Sequence, residues 1–174
     1  MYKQNLNRLS SFLMLTVWLS LSSTAMALSS DVKQPVRISA DTVVFNKSKG
    51  TAVYSGNVVI IQGSLQIRAW EIGINAPKNS INTMTAKGSP VKFQQTMDDG
   101  KVAKGSSKLL RYFVKQKKLT LDGDAVLTQN NDKFSSDHIE YSTRTGELKA
   151  GIPRVKGKKA NPKGRVNAIF YPTN

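Results

Sequence analysis

Apolar and polar residues alternate with a period of two in short runs along most of the chain, the pattern of an extended strand with one face buried. It recurs in Val36-Arg37-Ile38, Val43-Val44-Phe45, Val58-Val59-Ile60, Leu65-Gln66-Ile67, Ile72-Gly73-Ile74, Val91-Lys92-Phe93, Tyr112-Phe113-Val114, Leu119-Thr120-Leu121 and Ile139-Glu140-Tyr141. Between the runs lie Asn46-Lys47-Ser48-Lys49-Gly50, Ala76-Pro77-Lys78-Asn79-Ser80, Met97-Asp98-Asp99-Gly100 and Asn130-Asn131-Asp132. Such clusters supply the positive-φ and side-chain-capped positions of sharp turns. No amphipathic helical run of useful length follows residue 28, so the expected fold class is all-β.

The chain also repeats itself. A shift of 67 residues lays Gly56-Asn57-Val58-Val59-Ile60-Ile61-Gln62 on Gly123-Asp124-Ala125-Val126-Leu127-Thr128-Gln129, and carries Phe45 onto Tyr112, Ile67 onto Phe134 and Ile72 onto Ile139. Gly88-Ser89-Pro90-Val91 falls between these segments and Gly151-Ile152-Pro153-Arg154-Val155 after them. Glycine inside a strand marks a bulge or bend, and stacked β units bury their apolar faces against their neighbours. Four related bends predict a sheet curled into an open trough or jellyroll. The run Val58-Val59-Ile60-Ile61 predicts burial of both faces of its strand, either in a filled sandwich core or in an interior that admits acyl chains.

Lys3 and Arg8, an apolar stretch at residues 12–21, and small residues ending in Ala25-Met26-Ala27 have the three-part layout of a cleavable signal peptide. The apolar stretch is half the roughly 20 residues a spanning helix needs. The expectation is therefore a signal peptide at residues 1–27 and one exported domain at 28–174, with a flexible basic loop near 156–163. The chain has no cysteine, which excludes disulfides, thiol catalysis and thiolate metal sites. Its formal net charge is +15, and loss of Lys3 and Arg8 leaves 24 basic and 11 acidic side chains, a net +13. That field favours an anionic partner, and export points to a phosphorylated surface lipid or a polyanionic glycan before nucleic acid.

Catalytic chemistry is hard to find. His138 is the single histidine, and with Glu140 it makes an incomplete metal site, since zinc wants three or four ligands; the expectation is a solvated strand. Asp98-Asp99 and Asp122-Gly123-Asp124 stand beside glycines and read as turn residues. The sequence carries neither a Gly-x-Ser-x-Gly elbow nor a phosphate-binding glycine loop. No catalytic residue, metal or cofactor is expected. A carbohydrate-active enzyme would lack an identifiable acid–base pair.

Gln34-Pro35-Val36-Arg37-Ile38-Ser39-Ala40-Asp41, Tyr54-Ser55-Gly56-Asn57-Val58-Val59-Ile60-Ile61-Gln62-Gly63, Lys87-Gly88-Ser89-Pro90-Val91-Lys92-Phe93, Leu121-Asp122-Gly123-Asp124-Ala125 and Lys163-Gly164-Arg165-Val166 together resemble the LptA/OstA-like family of periplasmic lipopolysaccharide-transport proteins. The resemblance covers nearly the whole chain after the signal peptide. It implies a periplasmic, non-catalytic β-jellyroll of stacked antiparallel strands, open along one side. Its apolar interior groove shields the acyl chains of lipid A. It also implies head-to-tail self-association and strand pairing with an LptC-like inner-membrane partner and an LptD-like outer-membrane partner. Lipid-path positions of the family fall on Val32, Val36, Ile38, Phe93, Tyr112 and Val114; at Val32 one family member carries a smaller polar residue.

Two edges are expected to meet other chains, because a terminal strand leaves backbone groups unpaired. Val36 and Ile38 lie on the front edge after Pro35, a residue tolerated at a strand start. Val166, Ile169 and Tyr171 lie on a last strand over residues 165–171, stopped by Pro172. The competing reading is a periplasmic β domain that binds an anionic glycan or nucleic acid, as an OB-like fold does. Nucleic acid would need exposed aromatics on a basic face, whereas Phe45, Tyr54, Phe93, Tyr112, Phe134 and Tyr141 mostly keep step with aliphatic residues, which predicts them inside; no nucleic-acid partner is expected.

Overall fold

The computed structural model describes residues 31–151 and 165–171. Ten strands account for most of them: β1 (Arg37–Ser39), β2 (Thr42–Asn46), β3 (Thr51–Gln62), β4 (Leu65–Asn75), β5 (Thr83–Thr96), β6 (Val102–Phe113), β7 (Lys118–Gln129), β8 (Asp132–Ser142), β9 (Leu148–Ala150) and β10 (Asn167–Ile169). Helical structure among the described residues is limited to the 3-10 turns Asp31–Lys33 and Pro77–Asn79. The signal-peptide segment, the basic loop and the Ile152-Pro153-Arg154-Val155 segment lie outside the described residues.

One unclosed antiparallel sheet holds every strand, in the order β1-β3-β4-β5-β6-β7-β8-β10, with β2 also on β3 and β9 also on β8. The six long strands form an up-and-down meander, and each outermost long strand carries two short ones. On β3, β1 covers residues 59–61 and β2 covers 51–55. On β8, β10 covers 133–135 and β9 covers 139–141.

A line of register breaks crosses all five pairings of the long strands. The extra residues lie on the odd strands: Gly56-Asn57 in β3, Gly88-Ser89-Pro90 in β5 and Gly123-Asp124 in β7. Gly56 and Asn57 have φ of 79° and 49°, and Gly123 and Asp124 have 75° and 50°. Glycine, asparagine and aspartate tolerate the left-handed region best, so the 67-residue repeat places the same bend twice. Asp41, between β1 and β2, holds the first bend: its N–H donates to the Gly56 carbonyl at 3.0 Å, and its carboxylate accepts from Asn57 Nδ2 at 2.9 Å. The breaks divide the sheet into two half-sheets folded face to face. The first contains residues 51–55, 71–75, 83–87, 109–113, 118–122 and 138–142 with β2 and β9; the second contains 58–62, 65–68, 91–96, 102–107, 125–129 and 132–136 with β1 and β10.

Three expectations need correction. Asp122-Gly123-Asp124 is a bulge inside β7, not a turn. Phe45 is 66% exposed, because β2 is the outermost strand of its half-sheet and pairs with β3 alone among the described residues. Only one face of the Val58-to-Ile61 run is core: Val58 and Ile60 are buried, whereas Val59 is half-buried and Ile61 is 39% exposed. The outer face of a folded-over sheet meets solvent whatever its residues are.

Candidate functional site

Strand register turns the period-two pattern into rows that run across the whole sheet. In the first half-sheet the inward row is Phe45, Ala52, Ile74, Met84, Tyr112, Leu119, Tyr141 and Leu148. In the second it is Ile38, Ile60, Ile67, Phe93, Gly105, Leu127, Phe134 and Ala168. The rows meet at Phe93 and Tyr141, whose ring centroids lie 5.8 Å apart. Gly105 leaves the space that the Phe93 ring occupies; a side chain there would overlap the ring. Both rows are buried at their centres and open towards their ends, where Phe45 and Ala168 are exposed and Ile38 and Leu148 half-buried. The interior is thus an apolar path from one sheet edge to the opposite one.

The expected lipid-path residues distribute along this path. Phe93 and Tyr112 are core members, 3% and 1% exposed, one on each row. Ile38 opens the second row, and half-buried Val36 and Val114 flank β1 and β6 while packing against the core. Val32 falls in the Asp31–Lys33 turn, and its side chain lies outside the described residues. Of the expected partner edges, β1 and β10 are the two ends of the strand order, and Val166, Ile169 and Tyr171 are exposed. The final strand is shorter than expected. It spans only Asn167–Ile169, and Tyr171 lies beyond it, its N–H reaching Asp132 Oδ1 at 3.3 Å.

At the strand ends remote from the bend, polar contacts tie the half-sheets together. Asp31 is buried; its carboxylate accepts from the Ser64 N–H at 3.0 Å, the Ser64 hydroxyl at 2.5 Å and Gln95 Nε2 at 3.3 Å. Gln95 Nε2 also donates to the Thr143 carbonyl across the interior at 3.2 Å. Gln95 Oε1 is buried without a hydrogen-bond partner among the described residues, a cost that a shut seam normally avoids. The Tyr141 hydroxyl donates to Met97 sulfur at 2.7 Å. Alternation alone did not reveal this seam; Gln95, a glutamine near the end of its strand, was its trace in the sequence.

Burial pushes the Tyr141 hydroxyl far above the usual tyrosine range, with the Asp99 charge adding to the rise. Burial raises Tyr112 too, against a hydrogen bond with Thr143 that pulls it down. An unfolded tyrosine ionises near pH 10. The stability these neutral side chains contribute is therefore whole below that pH and lost as pH rises through their folded values. Melting temperature should fall more steeply above about pH 10 in the wild type than in the Tyr112→Phe/Tyr141→Phe double variant. Identical alkaline limbs would show that neither hydroxyl is shielded.

His138 stands on strand β8 at the solvent-facing side of the sheet, its side chain 26% exposed, and it is paired there. Its Nδ1 lies 2.6 Å from Asp122 Oδ1, Asp122 Oδ2 binds Arg111 Nη1 at 2.9 Å, and Lys118 meets Glu140 at 3.4 Å. Cross-strand register on the first half-sheet's outer face brings them together. Among the described residues no group of three or more His, Asp or Glu side chains is placed to hold a metal ion, and no helix is long and apolar enough to cross a membrane.

A family model described as LptA/(LptD N-terminal domain) LPS transport protein matches residues 37–147. The chain belongs to this family. Among relatives of the LptA family, the lipopolysaccharide export system protein LptA of Haemophilus influenzae is 34% identical over 87% of this chain and 86% of its own length. The corresponding protein LptH of Pseudomonas aeruginosa is 32% identical over 87% of each chain, and LptA of Escherichia coli is 27% identical over 89% and 80%. The crystal structure of Pseudomonas aeruginosa LptH, described as the LptA-homologous periplasmic component of the lipopolysaccharide transport device, superimposes with a TM-score of 0.73 at 30% identity. It covers 82% of this chain and 99% of that one. The open LptA-type jellyroll expected from the resemblance is the fold observed.

Proposed function

We propose that the protein is a periplasmic carrier of lipopolysaccharide that shields lipid A acyl chains between its half-sheets and performs no catalysis. The carrying observation is the pair of facing apolar rows that run from one edge of the sheet to the other. Each methylene shielded from water is worth about 0.8 kcal/mol, so a chain of about a dozen carbons gains roughly 10 kcal/mol by entering such a path. The centres of the rows are closed to solvent, so entry of a chain requires the half-sheets to part. The bulge line is the natural hinge and the polar seam, with its unsatisfied Gln95 oxygen, the natural opening.

In this reading residues 1–27 are a signal peptide that exports the domain at 28–174. The front edge, with Val36 and Ile38, takes an LptC-like partner or a preceding copy. The back edge, with Val166, Ile169 and Tyr171, takes the next copy or an LptD-like protein. What supports it is family membership, the names of the relatives, and two sheet edges, at opposite ends of the apolar path, that no further strand among the described residues covers. A nucleic-acid role is disfavoured because the basic cleft around Arg68, Lys92 and Lys104 is lined by none of the exposed aromatic rings Phe45, Trp70, Phe170 and Tyr171, and base stacking needs them. Photo-crosslinking residues at Val36, Phe93, Tyr112 and Val114 should each capture lipopolysaccharide in cells, and one at Asp99 in the β5–β6 turn should not. Equal capture at Asp99 would defeat the groove reading.

A further inference from the structure

The outer faces of the two half-sheets differ in how their charges are arranged. On the first, cations and carboxylates alternate and neutralise each other: Lys87 with Glu71 at 2.8 Å, Arg111 with Asp122, and Lys118 with Glu140. On the second, register aligns Arg37, Ile61, Gln66, Gln94, Lys104, Thr128 and Lys133 in one outward row. A second row holds Ser39, Val59, Arg68, Lys92, Ser106, Val126 and Ser135. Neither row contains an Asp or Glu. None of Arg37, Arg68, Lys92, Lys104 and Lys133 belongs to an ion pair among the described residues.

Arg68 and Lys92 are direct cross-strand partners, an arrangement of like charges that destabilises a sheet. Lys104 stands diagonal to Lys92, opposite Gln94. Around them lies a cleft of about 300 Å³, in which Gln94, Ser106 and Thr128 add neutral hydrogen-bonding groups to the three cations. A multivalent anion seated there would relieve the repulsion, and the amide and hydroxyls suit the hydroxyls of a sugar. We propose that this cleft, on the opposite side of the sheet from the apolar interior, is a second binding site that takes a phosphorylated saccharide. The site does not depend on the lipid groove, because its ligand chemistry requires no acyl chain.

The test is an amide chemical-shift titration of the exported domain with glucose 1,6-bisphosphate at physiological ionic strength. Saturable shifts are expected at residues 68, 92, 94, 104, 106 and 128. The Arg68→Gln/Lys92→Gln/Lys104→Gln variant should lose affinity at least about tenfold, whereas Lys47→Gln/Lys49→Gln/Lys115→Gln, with the same change in net charge, should stay within about twofold, because a specific site and a diffuse field differ in just this way. The cleft variant should melt at or above the wild-type temperature, since it removes opposed like charges, so lost binding cannot be lost folding. Shifts that never saturate, or equal losses in both variants, would reduce the site to non-specific charge attraction and overturn it. Inorganic phosphate binding as tightly as the bisphosphate would overturn the saccharide assignment, and so would tighter binding of a short oligothymidylate. Deacylated lipopolysaccharide should compete for the cleft and phosphatidylglycerol vesicles should not; the reverse order would overturn the proposal in favour of a membrane surface.

Discussion

Phe93→Asp should leave little folded protein at 37 °C and abolish lipopolysaccharide binding. Phe93 is 3% exposed, packs on Tyr141 across the interior and fills the space over Gly105. Truncating a buried phenylalanine costs about 3–5 kcal/mol, and a carboxylate in its place adds several kcal/mol more for desolvation without a partner. Domains of this size hold only about 5–15 kcal/mol in total. Phe93→Leu keeps most of the volume and should stay folded, with a loss near 1 kcal/mol. It therefore tells whether the ring itself contributes to lipid capture. Reversing an exposed turn charge, as in Lys47→Glu, should cost well under 1 kcal/mol and weaken lipid binding far less than Phe93→Asp. Thermal melts and lipopolysaccharide pull-down measure both quantities; a folded, lipid-binding Phe93→Asp variant would mean that the interior is neither tightly packed nor the lipid path.

Ile38→Pro and Ile169→Pro should each break chain-to-chain assembly while leaving the isolated domain folded. β1 and β10 are the two ends of the strand order, and each pairs with its long neighbour over only three residues. Proline removes a backbone donor and fits poorly into a paired strand. Whichever way the lost N–H points, the short strand ceases to be a template for another chain. The core rows between β3 and β8 do not depend on either strand, so the melting temperature should fall by only a few degrees, on the order of 1 kcal/mol. Because front and back edges differ, their contact is heterologous and can continue as a filament. Sedimentation should show concentration-dependent oligomers for the wild type, smaller species for either variant, and monomers when both edges carry proline. Transport of lipopolysaccharide to the outer membrane should fall in parallel. Strictly monomeric wild type at high concentration, together with full transport by both proline variants, would remove the bridge mechanism even if lipid binding survived.

Strands and bends were legible in the sequence because both are local. Alternation in Leu65-Gln66-Ile67 or Leu119-Thr120-Leu121 decides which side of the backbone is apolar, and Gly56-Asn57 and Gly123-Asp124 carry residues that accept positive φ where the sheet must bend. Motifs spread over most of the chain pointed to the family for the same reason. Burial at the edges was not legible. Phe45 has the same kind of strand context as its repeat partner Tyr112, yet one is 66% exposed and the other 1%. What separates them is the presence of strands on both sides of Tyr112 and on only one side of Phe45.

The sequence by itself determined the all-β class, the positions of the bends, the sign of the net charge and the residues able to face an interior. Only the tertiary structure decided which neighbours those residues meet. Register set the facing rows, the contact of Phe93 with Tyr141, the seam from Asp31 through Gln95 to Thr143, and the segregation of paired charges on one outer face from cations without an ion pair among the described residues on the other. Each of these joins residues that are distant along the chain but adjacent across strands or across the fold. A period of two says which side a residue faces, and only pairing says what lies opposite.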